Sequence, residues 1–224
     1  AGEAQRAIRQ ASGNRDPYRA LKSRELEFGA VLCQEARGRF GDDLRSLLAL
    51  SALGNAMDFF QDVALVREQP GQAIDFAIDD VGELEALLPT VRRVLFLADN
   101  AGEVYFDRPL IARLSEGAQV TLGVKSAPVQ DDLTLEDLLR SGVDGVHKVV
   151  MTADTPGTDL ALVSKGFLKE LESSDLVSAK GMGNFETLAD EALKPKVLFL
   201  LRAKCGPVAE ALGVPVHSYV AMLR

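Results

Sequence analysis

From Val91 onward the chain alternates short, uninterrupted apolar runs with stretches of helical spacing, and few architectures accommodate that alternation. The runs are Val94-Leu95-Phe96-Leu97, Val120-Thr121-Leu122-Gly123-Val124, Val149-Val150-Met151, Leu176-Val177 and Val197-Leu198-Phe199-Leu200-Leu201. Between them, Tyr105 to Leu114, Leu133 to Leu139 and Leu160 to Leu171 place apolar residues three and four apart. A strand that is apolar at successive positions must be covered on both faces, and the intervening helices supply the cover. The pattern predicts a mainly parallel sheet in an α/β/α sandwich over residues 91–224.

Residues 1–90 read differently, as an all-helical part. Asp16-Pro17 is a helix-start signal with Pro at the first helical position. Leu21, Glu25, Phe28, Leu32 and Ala36 then recur at helical spacing. Leu44 to Asp62 is apolar at Leu47, Leu48, Leu50, Leu53 and Met57. Pro70-Gly71 breaks the pattern, Ile74 to Leu88 forms another amphipathic stretch, and Pro89-Thr90 closes it. Within Ser51 to Phe60, Gly54-Asn55 and Asp58 interrupt apolar sequence, so Asn55 and Asp58 are expected to face a polar site.

Charge removes several function classes. The 224 residues carry 25 Lys and Arg against 33 Asp and Glu, a net charge of −8, and both parts are acidic. No basic stripe offers a footprint for a nucleic-acid backbone. No apolar run approaches the ~18 residues that a membrane helix requires. The first residues, Ala1 to Gln10, lack the basic and apolar segments of a signal peptide. Two cysteines, Cys33 and Cys205, build neither a disulfide framework nor a zinc site, and a cytoplasmic setting is expected.

In an open parallel sheet, ligands bind beyond the carboxyl ends of the strands. The first run ends in Asp99-Asn100-Ala101-Gly102-Glu103, and the second ends near Lys125, before Asp131-Asp132-Leu133-Thr134. Asp175 precedes the short Leu176 run, and Lys180-Gly181-Met182-Gly183-Asn184-Phe185-Glu186 follows it. The last run ends at Lys204-Cys205. Carboxylate and amide oxygens without His or Cys suit a hard cation such as Mg²⁺ or Mn²⁺, and lysine with glycine N–H groups suits phosphate.

Plainer readings stand beside these. Asp99 and Asn100 also suit a turn and helix cap, and Asp131, Asp132 or Thr134 suits a cap for the next helix. Gly181-x-Gly183 is half of a dinucleotide fingerprint. Lys125 and Lys204 also suit solvated surface, and His147 and His217 stand alone. Cys33 reads as core.

Taken together, these motifs resemble the DUF89 family of metal-dependent damage-control phosphatases, in its prokaryotic branch. Asp16-Pro17-Tyr18 with Lys22, Gly54-Asn55 with Asp58, and Lys204-Cys205 add to the likeness, which runs in order along nearly the whole chain. The resemblance implies a helical part beside a Rossmann-like α/β/α domain with one divalent cation at the strand ends. It implies Asp99, Asn100 and Asp132 as metal ligands, with Asp131 as the alternative should the loop register differ by one. Asp99, Asp132 and Lys180 would be catalytic. Glu103, Lys125, Gly181, Asn184, Glu186, Asn55 and Asp58 would bind substrate, with Lys180 and the backbone after it holding the phosphate. Two departures are visible: Asp131 stands where the family has Asn, and the chain begins without Met and without the Cys-x-x-Cys segment of prokaryotic relatives.

The resulting expectation is a phosphatase for phosphomonoesters of small metabolites, damaged or side-product sugar phosphates among them. Mg²⁺ or Mn²⁺ is the expected ion, and Co²⁺ and Ni²⁺ are further candidates. Either a metal-activated water or Asp99 itself is the nucleophile. Selectivity is expected from loops around Phe106, Asp154 to Thr158 and Phe185. The rival readings are a non-catalytic Rossmann-like ligand-binding module and an S-adenosylmethionine-dependent methyltransferase; Asp99-Asn100-Ala101-Gly102 replaces the glycine-rich turn that the latter favours.

Overall fold

The computed structural model describes residues 2–55 and 74–224. Three helices come first: α1 (Gly2–Ser12), α2 (Arg19–Arg37) and α3 (Leu44–Gly54). There follow β1 (Phe76–Asp79), α4 (Val81–Leu87), β2 (Arg93–Leu97), α5 (Val104–Ser115), β3 (Gln119–Val124), α6 (Leu135–Ser141) and β4 (Lys148–Met151). The chain continues with α7 (Lys165–Glu172), β5 (Leu176–Lys180), α8 (Gly181–Leu188), β6 (Lys196–Arg202), α9 (Gly206–Leu212) and β7 (Tyr219–Leu223). A short 3₁₀ turn, Ala101–Glu103, leads into α5.

The strands form one seven-stranded sheet in the order β1-β7-β6-β5-β2-β3-β4. Neighbours from β6 through β4 are parallel, β7 runs antiparallel to β6, and β1 lies parallel to β7. The expected mixed α/β fold with a mainly parallel sheet is therefore present. From β2 the chain winds outward to β3 and β4, then returns to β5 on the other side. That reversal between β2 and β5 is where a ligand crevice is expected.

Alternate residues of each central strand enter opposite cores, as a period of two requires. Val94, Phe96, Val120, Leu122, Leu198 and Leu200 pack with α3, α5 and α6. Leu95, Leu97, Val177, Ala179, Phe199 and Leu201 pack with α7, α8 and α9. Leu47 and Leu48 of α3 share the first of these cores, so the early helices are joined to the sheet by apolar packing.

Three expectations are corrected. Ile74 to Leu88 is not one amphipathic helix: Phe76–Asp79 pairs with β7, and the helix begins only at Val81. The early part of the chain thus supplies an edge strand to the sheet. Helix α2 starts at Arg19, two residues after Pro17. Its buried stripe runs through Lys22, Glu25, Leu26, Gly29, Leu32, Cys33 and Ala36, while Phe28 is 45% exposed. Of the expected segment Leu44 to Asp62, α3 accounts for Leu44–Gly54, with Asn55 at its cap; Met57, Asp58 and the Pro70-Gly71 break lie outside the described residues. Among the described residues no helix is long and apolar enough to cross a membrane.

Candidate active site

At the carboxyl ends of β2 and β5 a cavity of about 350 Å³ is lined by Asp99, Asn100, Asp131, Asp132, Glu186 and Lys204, and by Tyr18, Gln130, Pro156, Gly157, Met182 and Gly183. The backbone explains why four of these residues, far apart in sequence, meet. After β2, the Asp99 carbonyl accepts from Leu133 N–H at 2.8 Å, and Ala101 N–H donates to the Asp131 carbonyl at 2.8 Å. An antiparallel bridge pairs Asn100 with Asp132. The loop before α6 is thereby stitched along the strand end, with Asp131 and Asp132 both on the cavity wall. Thr134, not an aspartate of this loop, caps α6 in a capping box with Asp137.

Behind the wall lies a buried polar chain. Asn55 is 1% exposed, and its amide donates to Asp99 Oδ2 at 3.0 Å and to Glu103 Oε1 at 2.9 Å. Its carbonyl oxygen accepts from Arg202 N–H at 3.0 Å. The other Glu103 oxygen accepts from Lys180 Nζ at 2.9 Å. Lys180 also donates to Asp107 Oδ1 at 2.5 Å and to the Ser51 carbonyl at 3.0 Å.

These bonds reassign several residues expected to touch substrate. Lys180 has no exposed surface, and its ammonium uses all three donors internally, so it reaches no phosphate. Glu103 is spent on Lys180 and Asn55. Asn184 is likewise buried, accepting from Thr158 Oγ1 at 2.8 Å and donating to the carbonyls of Lys180 and Ala98. Lys125 pairs with Asp132 at 3.2 Å and bonds the Gly157 carbonyl. Phe106 and Phe185 are core residues, the latter edge-on to Phe199.

Gly181 does have a local reason to be glycine. Its φ is +73°, and a β-carbon there would overlap the Asp99 carboxylate. Helix α8 therefore begins against Asp99, and Met182 and Gly183 of its first turn face the cavity. Glu186, one turn on, lines it as expected. Asp58 lies outside the described residues. Asp175 sits at the opposite end of the sheet, accepting from the Arg92 and Arg93 N–H groups.

Electrostatically the site is crowded with acid. Burial pushes the Asp99 carboxyl well above its usual value, Glu103 and Asp132 add to the rise, and Lys204 and Lys180 oppose it. Asp132 is raised to about 6 by burial, against the pull of Lys125 and with a further push from Asp131. Glu25, on α2 behind Asp131, is raised to about 9, first by burial and then by Asp131.

Sequence reading passed over Glu25, Tyr18 as a wall residue, Gln130 and Met182. Lys204, at the end of β6, was visible as a strand-end residue but also suited solvated surface. Pro156-Gly157 was flagged within the Asp154 to Thr158 loop, and it does line the cavity.

Fold and cavity together define an α/β protein with an acidic, oxygen-rich active-site cleft at its topological switch point. Residues 1–220 match the damage-control phosphatase ARMT1-like domain. A damage-control phosphatase of Pyrococcus horikoshii is 35% identical over 217 residues, covering 94% of this chain and 75% of that protein. A damage-control phosphatase of Archaeoglobus fulgidus is 31% identical over 233 residues, covering 96% and 78% respectively. The crystal structure of a DUF89 family protein from P. horikoshii superposes with a TM-score of 0.84 at 32% identity, covering 96% of this chain and 78% of that one. The chain belongs to the damage-control phosphatase ARMT1-like family and is a phosphatase, which decides against the methyltransferase and non-catalytic readings.

Proposed function

We propose that the protein hydrolyses phosphomonoesters of small metabolites, sugar phosphates among them, with one divalent cation held by Asp99, Asn100 and Asp132. The observation that carries this reading is the meeting of those three residues on one cavity wall, with Lys204 on the same cavity. Among the described residues, no three His, Cys, Asp or Glu side chains gather as a metal cluster. The proposed set is instead two carboxylates and an amide oxygen, with water completing the shell. Its chemistry fits Mg²⁺ or Mn²⁺, and Co²⁺ or Ni²⁺ after them. The raised pKa values of Asp99 and Asp132 support the assignment, because a cation between them relieves their repulsion.

Such a cation, when bound, polarises a phosphoryl oxygen and lowers the pKa of a coordinated water. The chain's own residues do the rest. Asn55 fixes the Asp99 carboxylate through its bond to Oδ2. Lys204 takes the phosphate-facing role that sequence reading gave to Lys180. The first turn of α8, with Met182 and Gly183 on the wall, turns a helix N-terminus toward the anion. Asp99 or Asp132 accepts the proton of the attacking water. Tyr18, Gln130, Asp131 and Glu186 surround the organic part of the substrate.

Turnover of p-nitrophenyl phosphate with Mg²⁺, Mn²⁺, Co²⁺ or Ni²⁺, and its loss in EDTA, tests the proposal. Equal hydrolysis in EDTA refutes the metal, and no hydrolysis with any ion refutes the reaction class.

A further inference from the structure

A strained turn forms part of the cavity wall. Gln130 and His217 are the non-glycine residues with positive φ among the described residues, and of the two Gln130, at φ +45°, lines the cavity. It is the first central residue of the turn that Asp132 N–H closes on the Val129 carbonyl at 3.0 Å. Positive φ at that position is ordinarily left to glycine, asparagine or aspartate, because a β-carbon crowds the backbone there. Glutamine meets that steric penalty without the short side chain that lets Asn and Asp bond their own backbone. No group among the described residues hydrogen-bonds its amide.

The surroundings force this conformation. Before the turn, the Pro128 carbonyl accepts from the Arg9 guanidinium, and Val129 has no exposed surface. After it, the Asp131 carbonyl accepts from Ala101 N–H at 2.8 Å, Asp132 is bridged to Asn100, and Leu133 N–H reaches the Asp99 carbonyl at 2.8 Å. A backbone pinned on both sides can keep a residue in a sparsely populated conformation, and such residues cluster where a ligand is gripped. The chemistry of the wall says what the amide adds. Asp99, Asp131, Asp132 and Glu186 accept hydrogen bonds when ionised and donate none. With Asn100 turned to the cation and Lys204 to the phosphate in the reading above, Tyr18 and Gln130 supply the remaining side-chain donors of the wall. The Gln130 amide can therefore hold a ligand oxygen that the neighbouring carboxylates repel.

We propose that Gln130 is a specificity-determining residue, whose amide donates a hydrogen bond to a hydroxyl or carbonyl oxygen of the substrate's organic part. The site thereby selects phosphomonoesters that carry such an oxygen, as sugar phosphates do, over aryl esters that do not. The inference rests on the phosphatase reading of the site. Gln130→Gly removes the amide and the strain together. Gln130→Glu keeps the shape and the strain but turns the donor into an acceptor.

Steady-state kinetics with saturating Mn²⁺ on a panel of pentose and hexose monophosphates tests this, with phenyl phosphate as the reference ester that lacks a further oxygen. The wild type prefers the best sugar phosphate over phenyl phosphate in kcat/KM. Both variants lose about five- to tenfold of that preference, mainly through KM for the sugar phosphate, as expected for one hydrogen bond. Thermal unfolding supplies a second readout. Gln130→Gly melts no lower than the wild type, because relief of the positive-φ penalty offsets the freedom that glycine adds to the unfolded chain. Weaker selection from a fold at least as stable is a combination that a merely structural glutamine does not produce. Either variant with the wild-type preference overturns the proposal. So does a Gln130→Gly protein that melts more than about 5 °C lower, since the side chain would then be holding the fold. A wild type that hydrolyses phenyl phosphate but prefers no sugar phosphate refutes the role of Gln130 and leaves the phosphatase reading intact. A wild type inert toward every ester overturns both.

Discussion

Replacing Lys180 with methionine destabilises the fold, although sequence reading treats this residue as a phosphate ligand. The ammonium is fully buried and bonds Glu103 at 2.9 Å, Asp107 at 2.5 Å and the Ser51 carbonyl at 3.0 Å. Methionine fills most of the volume but leaves two buried carboxyls without their cation. Removing one partner of a buried ion pair typically costs about 3–5 kcal/mol. Protonating Asp107 limits the loss: bringing a group of ordinary pKa 3.8 to neutrality near pH 7 costs about 4 kcal/mol, at 1.36 kcal/mol per unit. At about 2–4 °C per kcal/mol for a chain of this size, Tm falls by about 6–20 °C.

The sign of the pH dependence follows from the same pair. Asp107 is already raised to about 6 by burial while Lys180 pulls it down, so losing Lys180 raises it further. The folded variant then binds a proton that the unfolded chain, with its lower pKa, does not hold. Its stability falls as pH rises, and the deficit against wild type narrows on acidification from pH 7 toward pH 5. Thermal unfolding followed by circular dichroism at both pH values measures this. A variant melting within about 2 °C of wild type at pH 7 would refute the buried-tripod account, since the ~3 kcal/mol lower bound exceeds that shift.

Gly181→Ala forces a side chain into positive φ and into the Asp99 carboxylate, so it lowers Tm and weakens divalent-ion uptake together. Calorimetry showing wild-type ion affinity in a folded variant would contradict the contact. Lys204→Met lowers kcat/KM by about 2–4 kcal/mol of transition-state stabilisation if this cation faces the phosphate. Its Tm stays close to wild type, and unchanged kinetics would remove Lys204 from the site.

How much of this was legible depends on where each residue's burial comes from. Strands β2, β3 and β6 declare themselves because both faces are covered and their interiors are largely apolar at successive positions. Strand β1 does not. Phe76-Ala77-Ile78-Asp79 lies at the sheet edge, is half solvated, and passes into a helix after one residue, so its alternation merges with helical spacing. Asp99 and Asn100 were readable as positions because they follow the end of β2, and Asp131 and Asp132 because their loop follows β3, while their assignment as ligands came from the family resemblance. Lys180 was readable as a position but not as a role. Whether a lysine at a strand end meets phosphate or buried acid depends on Glu103 and Asp107, which only the folded 3₁₀ turn and α5 bring beneath it. Glu25 lay hidden because its spacing on α2 is that of a core residue.

The central claim is that Asp99, Asn100 and Asp132 hold a divalent cation that activity requires. The most direct test is calorimetric titration of Mn²⁺ into the wild type and Asp99→Ala, with phosphomonoester turnover measured on the same samples. The account predicts one ion per wild-type chain, a wild-type Tm that rises with the ion, and neither binding nor turnover in the variant. A folded Asp99→Ala protein that binds the ion and hydrolyses substrate as the wild type does would contradict it.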